Sequence, residues 1–456
     1  MDVLEKIVQS VNGVLWDYLL LFVLCGGGIW FTIRMKGVQI TQFGKAFKNT
    51  FGNLTLNGEK AGKDGMSSFQ SLATAIAAQV GTGNLAGAAT AIASGGPGAI
   101  FWMWVSAFFG MATIFVEASM AQKYRTVGDD GEVTGGPVYY IRAAYKGTFG
   151  KVLAALFAIF IILALGFMGN MVQANSIGDA FKNAIGINPI IIGVIVAALS
   201  LFVFLGGVSR IASLTEKIVP IMAAFYIVGC MVIIIMHIGQ LIPAFGRIFH
   251  DAFTASAVFG GVVGTTVQQA MRYGVARGLF SNEAGMGSTP HAHALAKVKH
   301  PCDQGLTAMM GVFIDTFVIL TLTALVIIMT GSLDGDKMVG IALTQHAFTA
   351  AFGSFGSIFI AITMFFFAFS TIVGWYFFGE RNIKYLFGSK AVKPYALLVV
   401  IFIVIGSTMK VELVWDMSDM FNGLMVIPNM LGLFGLTKIA VDLYDDYRNH
   451  PTAKEK

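Results

Sequence analysis

The sequence is short of charge. Of its 456 residues, 12% are Asp, Glu, Lys or Arg, against about 25% in an average soluble domain. Such a chain cannot cover a globular surface with polar side chains. That excludes a cytosolic enzyme, a nucleic-acid binder and a disordered chain. With 56% hydrophobic residues and a mean hydropathy of +0.74, a polytopic membrane protein is left. Cysteine is scarce: Cys25, Cys230 and Cys302 are scattered and odd in number, so no disulfide framework is implied. Proline is limited to 10 residues, and no period-2 alternation runs through the apolar stretches, which favours helices over a β-barrel. Walker A, H-E-x-x-H and Ser-His-Asp patterns are all missing, so neither ATP hydrolysis nor an enzymatic reaction is expected, and no cofactor. Any transport must draw on an ion gradient. His291, His293 and His300 make only a weak metal pattern in a basic segment.

What the chain has in excess is glycine, 54 residues, a residue favoured where membrane helices approach closely. Runs long enough to cross a bilayer predict eleven helices, at roughly 14–35, 67–93, 97–124, 150–180, 189–206, 214–237, 254–277, 303–331, 353–385, 392–408 and 416–438. Asp2 and Glu5 stand where a signal peptide would be basic, so the first run is read as a span. Of the 30 Lys and Arg residues, 25 follow odd-numbered spans. Only Lys6, Lys182, Arg247, Lys337 and Lys410 fall on the other side. By the positive-inside rule the N-terminus is expected outside and the C-terminus in the cytoplasm of a cell whose plasma membrane holds the chain.

Two spans contain residues that a lipid-facing helix avoids. Span two carries Gln79, Gly81, Thr82, Gly83 and Asn84 at mid-membrane. Each glycine weakens the helix by about 1 kcal/mol, and backbone freed at that depth is tolerated only where it lines a cavity or binds something. A close-packing seam of small residues is the plainer reading. The string also resembles a dinucleotide-binding glycine motif, but no strand precedes it. Span seven repeats the theme with Gly260-Gly261 and Gly264-Thr265-Thr266-Val267-Gln268. Interrupted helices at matching positions of two halves point to a transporter site. The two breaks lie five helices apart. Five is odd, so the halves, 67–237 and 254–438, have inverted topology. They are joined by an extracellular connector at 238–253. Residues 1–66 hold an extra helix and a cytoplasmic loop, and 439–456 a cytoplasmic tail.

Other polar residues in spans extend the candidate site. Asn170 and Gln173, three apart on span four, share a face. Ser370 and Thr371 lie inside an aromatic run of span nine, where their hydroxyls could serve a hard cation or bond back to the helix's own carbonyls. Intramembrane acids are functional by default. Glu117 falls near a cytoplasmic end and could simply be solvated or capped. Asp315 lies near mid-span and could neutralise a cation or relay a proton. Arg272, Arg277 and Glu283 are placed at a cytoplasmic exit from span seven, as intracellular gating pairs or as a solvated loop.

The segments Gly81–Gly87, Gly96–Trp104, Gly135–Tyr140, Arg272–Ser288 and Gly311–Thr316 resemble those of the alanine or glycine:cation symporter family, most nearly the sodium/alanine symporters of archaea or bacteria. The resemblance runs the length of the chain. It implies an all-α, leucine-transporter-like fold of ten core helices in two inverted repeats plus the extra N-terminal helix, and symport of alanine and glycine with Na⁺ by alternating access. Carried over by position, Gln79, Gly81, Thr82, Gly83, Asn84, Asn170, Gln173, Gly264, Thr265, Thr266 and Gln268 would hold the amino acid. Trp375 would close over its side chain. Ser370 and Thr371, with carbonyls near Ala77 and Val80, would hold Na⁺. Partners are then small amino acids, Na⁺ and the lipid bilayer, not nucleic acid. A cation channel would show repeated filter residues, which are absent. Proton coupling through Asp315 is the main rival.

Overall fold

The computed structural model describes residues 2–52, 62, 65–254, 266–333, 338–409 and 411–449. Helix α1 spans Leu4–Arg34, ten residues longer at its start than the hydropathy run. Helix α2, Ser68–Gln79, begins at a capping box: the Ser67 hydroxyl accepts from Gln70 N at 3.1 Å, and Gln70 Oε1 accepts from Ser67 N at 3.1 Å. It ends at Val80, whose φ of −82° and ψ of 91° leave the helix. The chain re-enters through a π-turn at Gly83–Gly87 into α3, Ala88–Gly95. Then follow α4 (Gly98–Lys123), α5 (Gly147–Ile185), α6 (Pro189–Phe204) and α7 (Gly207–Met236).

Helix α8, Val267–Asn282, is followed by α9 (Pro301–Met329), α10 (Ser354–Phe387), α11 (Val392–Gly406) and α12 (Val411–Gly435). A bend of 61° separates α12 from α13, Thr437–Asn449. Among the described residues, seven helices are long and apolar enough to cross a membrane, eight with the bent one. Helix α6 is apolar but shorter, and the two expected broken spans fall below that length because they are broken. A two-residue hairpin, Thr126–Val127 against Val133–Thr134, is an addition to the expected all-helical fold.

Span two is interrupted where its glycines predict. The interruption expected in span seven, at Gly260-Gly261 and Gly264-Thr265, lies outside the described residues. Helix α8 continues to Asn282 and unwinds only then, with Glu283 at φ 59°, Gly285 at 92° and Gly287 at 79°. These are left-handed conformations that glycine adopts freely and Glu283 does not. The chain from Gly278 to Ala296 is buried, so it is not a solvated cytoplasmic exit. Arg272 and Arg277 depress the local hydropathy and shift the apparent span toward the apolar residues before them.

The interrupted helices form the centre. Nearly every residue of α2 is buried, while α6, α7 and α11 turn Phe202, Ile221, Val228 and Leu397 outward, as lipid-facing helices do. Gly374 lets α10 lie on the end of α2: a Cβ there would stand 2.9 Å from the Ala78 Cβ and 3.1 Å from its backbone N. That approach brings the hydroxyls of α10 to the break.

Candidate functional site

The break in α2 frees polar backbone inside the protein, and several of the freed groups find side-chain partners. Gly81 N donates to Asn84 Oδ1 at 2.9 Å. Gln173 Oε1 accepts from Thr82 N at 3.1 Å and from Thr82 Oγ1 at 2.5 Å. Gln79 Nε2 donates to the Asn282 carbonyl at 2.7 Å, tying the end of α2 to the end of α8. Gly83 packs against Ser281. The two interruptions are thus one site. Gln79 Oε1 and Gln173 Nε2 are buried there with no hydrogen-bond partner among the described residues. One is an acceptor, the other a donor.

Five oxygens converge beside this point. Thr371 Oγ1 lies 2.9 Å from the Ala77 carbonyl, 3.4 Å from that of Val80 and 3.0 Å from that of Phe367. Ser370 Oγ lies 3.4 Å from the Ala77 carbonyl and 2.9 Å from that of Phe367. The back-bonding reading and the cation reading therefore both hold: each hydroxyl bonds its own helix and also reaches across to α2. Three carbonyls and two hydroxyls, all uncharged oxygens, form the donor set that a hard monovalent cation takes. Phe367 was not among the expected ligands, because a carbonyl carries no signature in the residue type.

Three carboxylates surround the unwound segment, all fully buried. Asp315 accepts from Asn84 Nδ2 at 2.7 Å, from Ser281 Oγ at 2.9 Å and from Thr316 Oγ1 at 2.9 Å. Glu283 accepts from Ser288 Oγ and from Trp375 Nε1. Trp375 also meets Phe280 edge to face, ring centres 5.7 Å apart. Glu117 is buried, which removes the solvated alternative. It accepts from Gly285 N at 3.1 Å, Gly287 N at 3.0 Å and Asn429 Nδ2 at 2.6 Å.

Several expected residues stand elsewhere. Thr266 and Gln268 are exposed at the start of α8, and Thr266 caps that helix through Gln269 N at 3.1 Å. The length of α8 separates both from the break. Asn170 is buried, but its amide bonds back to the Gly166 carbonyl at 3.1 Å on the same helix. Arg272 pairs with Asp17 of α1, and Arg277 pairs with Asp419 of α12 through 3.0 and 2.6 Å hydrogen bonds. Both therefore lie toward the N-terminal side of the molecule, opposite to the side first assigned. The motif Asn282-Glu283-Ala284-Gly285-Met286-Gly287-Ser288 was visible in the sequence. Its two alternate glycines after a polar pair were the missed sign of the second break.

Known proteins resemble the whole of this arrangement. Residues 1–456 match the model of the family described as the sodium:alanine symporter family. The sodium/alanine symporter AgcS of Methanococcus maripaludis is 44% identical over 440 residues, covering 96% of this chain and 95% of that protein. The probable sodium/glutamine symporter GlnT of Bacillus subtilis is 41% identical over 453 residues, covering 99% of this chain and 92% of that one. Among solved structures, MhsT in complex with L-phenylalanine superposes with a TM-score of 0.56 at 12% identity, over 85% of this chain and 98% of that chain. That likeness shows the leucine-transporter-like fold.

Proposed function

The chain belongs to the sodium:alanine symporter family, and from that premise we propose that it carries alanine and glycine together with Na⁺ by alternating access. It is a multi-pass membrane protein and a cation-coupled amino-acid symporter, not an enzyme. The observation that carries the finer reading is the meeting of Ser370 and Thr371 with the Ala77 and Val80 carbonyls at the break of α2. A cation there would take the five oxygens as ligands, with the hydroxyl protons rotated away. It would fix the break against α10 and so shape the adjoining amino-acid site.

In that site the helix start at Gly83 offers N–H groups to a carboxylate. The helix ends at Gln79 and Asn282 offer carbonyls to an ammonium. Gln79 Oε1 and Gln173 Nε2 supply one free acceptor and one free donor for a zwitterion. Trp375 and Phe280 supply a stiff wall that favours a small side chain. Gly81, Thr82 and Asn84 set the backbone of the break. Asn170, whose amide nitrogen bonds the Gly166 carbonyl, and Thr266 and Gln268, exposed at the start of α8, are left out of this reading. We extend the reading to eleven spans with inverted halves in a plasma membrane, N-terminus outside. The test is uptake of labelled alanine into proteoliposomes with and without an inward Na⁺ gradient. Gradient-dependent uptake is expected, competed by glycine more than by larger residues, and uptake indifferent to Na⁺ overturns the reading. A proton carried by Asp315 is the second reading, favoured by the link from that buried carboxyl through Asn84 to the break.

A further inference from the structure

At the end of α10 away from the N-terminus, a cavity of about 250 Å³ opens between the end of α6 and the starts of α7 and α11. Glu380, Tyr376, Lys384, Lys393, Phe204 and Leu205 line it. Glu380 is 3% exposed. Its Oε1 pairs with Lys384 at 3.2 Å, but Oε2 has no hydrogen-bond partner among the described residues. The Tyr376 hydroxyl stands against the Glu380 carboxylate, but no well-aligned hydrogen bond joins the two. Lys384 cannot supply the missing donor, since Asp130 at 2.8 Å and Glu132 at 3.1 Å already share its ammonium. Arg381 gives Nη1 to Glu132 at 3.3 Å, and its Nε and Nη2 are buried without a hydrogen-bond partner among the described residues. An unpartnered buried carboxylate oxygen is costly, and Glu380 lines the cavity that could supply its donor.

The mouth has the opposite character. Lys393 is exposed there, and Leu205, also in the lining, is an exposed apolar residue at the end of lipid-facing α6. An acidic floor, aromatic and aliphatic walls and a basic mouth at a lipid boundary match a ligand with an ammonium tip and an anionic group behind it.

We propose that this cavity binds a primary ammonium group, borne by an ethanolamine phospholipid headgroup or by a soluble phosphate-linked amine. The ammonium donates to Glu380 Oε2 and the Tyr376 hydroxyl, and the phosphate meets Lys393. A primary ammonium can donate three hydrogen bonds, and a trimethylated one none, so choline headgroups are discriminated against. Tyr376 directly follows Trp375, so one helix, α10, serves both this cavity and the candidate transport site.

The test uses the full-length protein in detergent, with native mass spectrometry and thermal unfolding as readouts. The probes are phosphatidylethanolamine, phosphatidylcholine and glycerophosphoethanolamine. About tenfold preference for the ethanolamine lipid over the choline lipid is expected, the difference a charge-assisted hydrogen bond makes. It should vanish in Glu380→Gln. Stabilisation by glycerophosphoethanolamine alone, lost in the same variant, assigns the site to a soluble amine. Leu205→Trp fills the mouth from an exposed position and should abolish either response, which decides the matter if Glu380→Gln does not fold. Equal binding of both lipids with no response to the soluble amine overturns the proposal. So does a preference that survives both substitutions. None of these readouts uses alanine uptake, so failure here leaves the transport reading standing.

Discussion

Residue identity speaks most clearly where a polar side chain sits at membrane depth, because burying one unpaired costs several kcal/mol. Gln79, Thr82, Asn84, Gln173, Ser370 and Thr371 were legible for that reason, and the structure gathers all six around the break of α2. The Phe367 carbonyl was illegible, since every residue has one. If these oxygens hold Na⁺, Thr371→Ala removes one ligand of five and should raise the Na⁺ concentration for half-maximal uptake about tenfold or more, while Thr371→Ser restores it. Unchanged Na⁺ dependence in the alanine variant would remove the hydroxyl from the ion site. Asp315 receives three hydrogen bonds, the pattern of an ionised carboxylate. Replacing it with Asn turns a donor toward donors, a cost of about 1–3 kcal/mol. We expect Asp315→Asn to lower the thermal midpoint but keep Na⁺-driven uptake. Loss of uptake in folded protein, with residual activity no longer pH-dependent, would instead make Asp315 the proton carrier.

At the scale of elements, the two interrupted helices were not equally readable. Span two announces its break with two glycines among amides, in an otherwise apolar run. In span seven the Gly-Gly and Gly-Thr-Thr strings drew attention first. The later Gly285 and Gly287 lay beyond two arginines that seemed to mark the membrane's edge. What those arginines do is pair inside the protein, with Asp17 and Asp419, a tertiary fact that hydropathy does not carry. The unwound segment then needs an external hold, because its N–H groups have no helix to bond to. Glu117 supplies it from α4 by accepting two of them, Gly285 N and Gly287 N. Glu117→Ala should therefore cost about 3 kcal/mol or more, each hydrogen bond to a charged acceptor being worth ~1.5–3 kcal/mol. Hydrogen exchange at 285 and 287 should accelerate more than exchange elsewhere in the core. Uniform acceleration across the protein would mean that Glu117 supports the fold at large rather than this segment.

For the whole molecule, the distribution of charge predicts a direction. Moving Arg272 and Arg277 to the N-terminal side still leaves 23 of the 30 basic residues on the other, so the positive-inside argument survives its own correction. The ion pairs follow the same division. At the N-terminal end, Arg277 and Asp419 tie α8 to α12, with the Trp415 ring 4.9 Å from the guanidinium. At the opposite end, Arg381 and Lys384 tie α10 to Asp130 and Glu132 of the hairpin segment. Alternating access from such a structure requires each end to release in turn, and which end faces the cytoplasm decides which release admits substrate. A direct measurement is available because Cys230 and Cys302 are buried and Cys25 is only partly exposed. In a Cys25→Ser background, single cysteines at Lys6 and Lys390 should differ completely toward a membrane-impermeant maleimide on intact cells. Lys6→Cys should label and Lys390→Cys should label only after permeabilisation. The reverse pattern would place the N-terminus inside, and with it the Arg277–Asp419 pair at the cytoplasmic mouth.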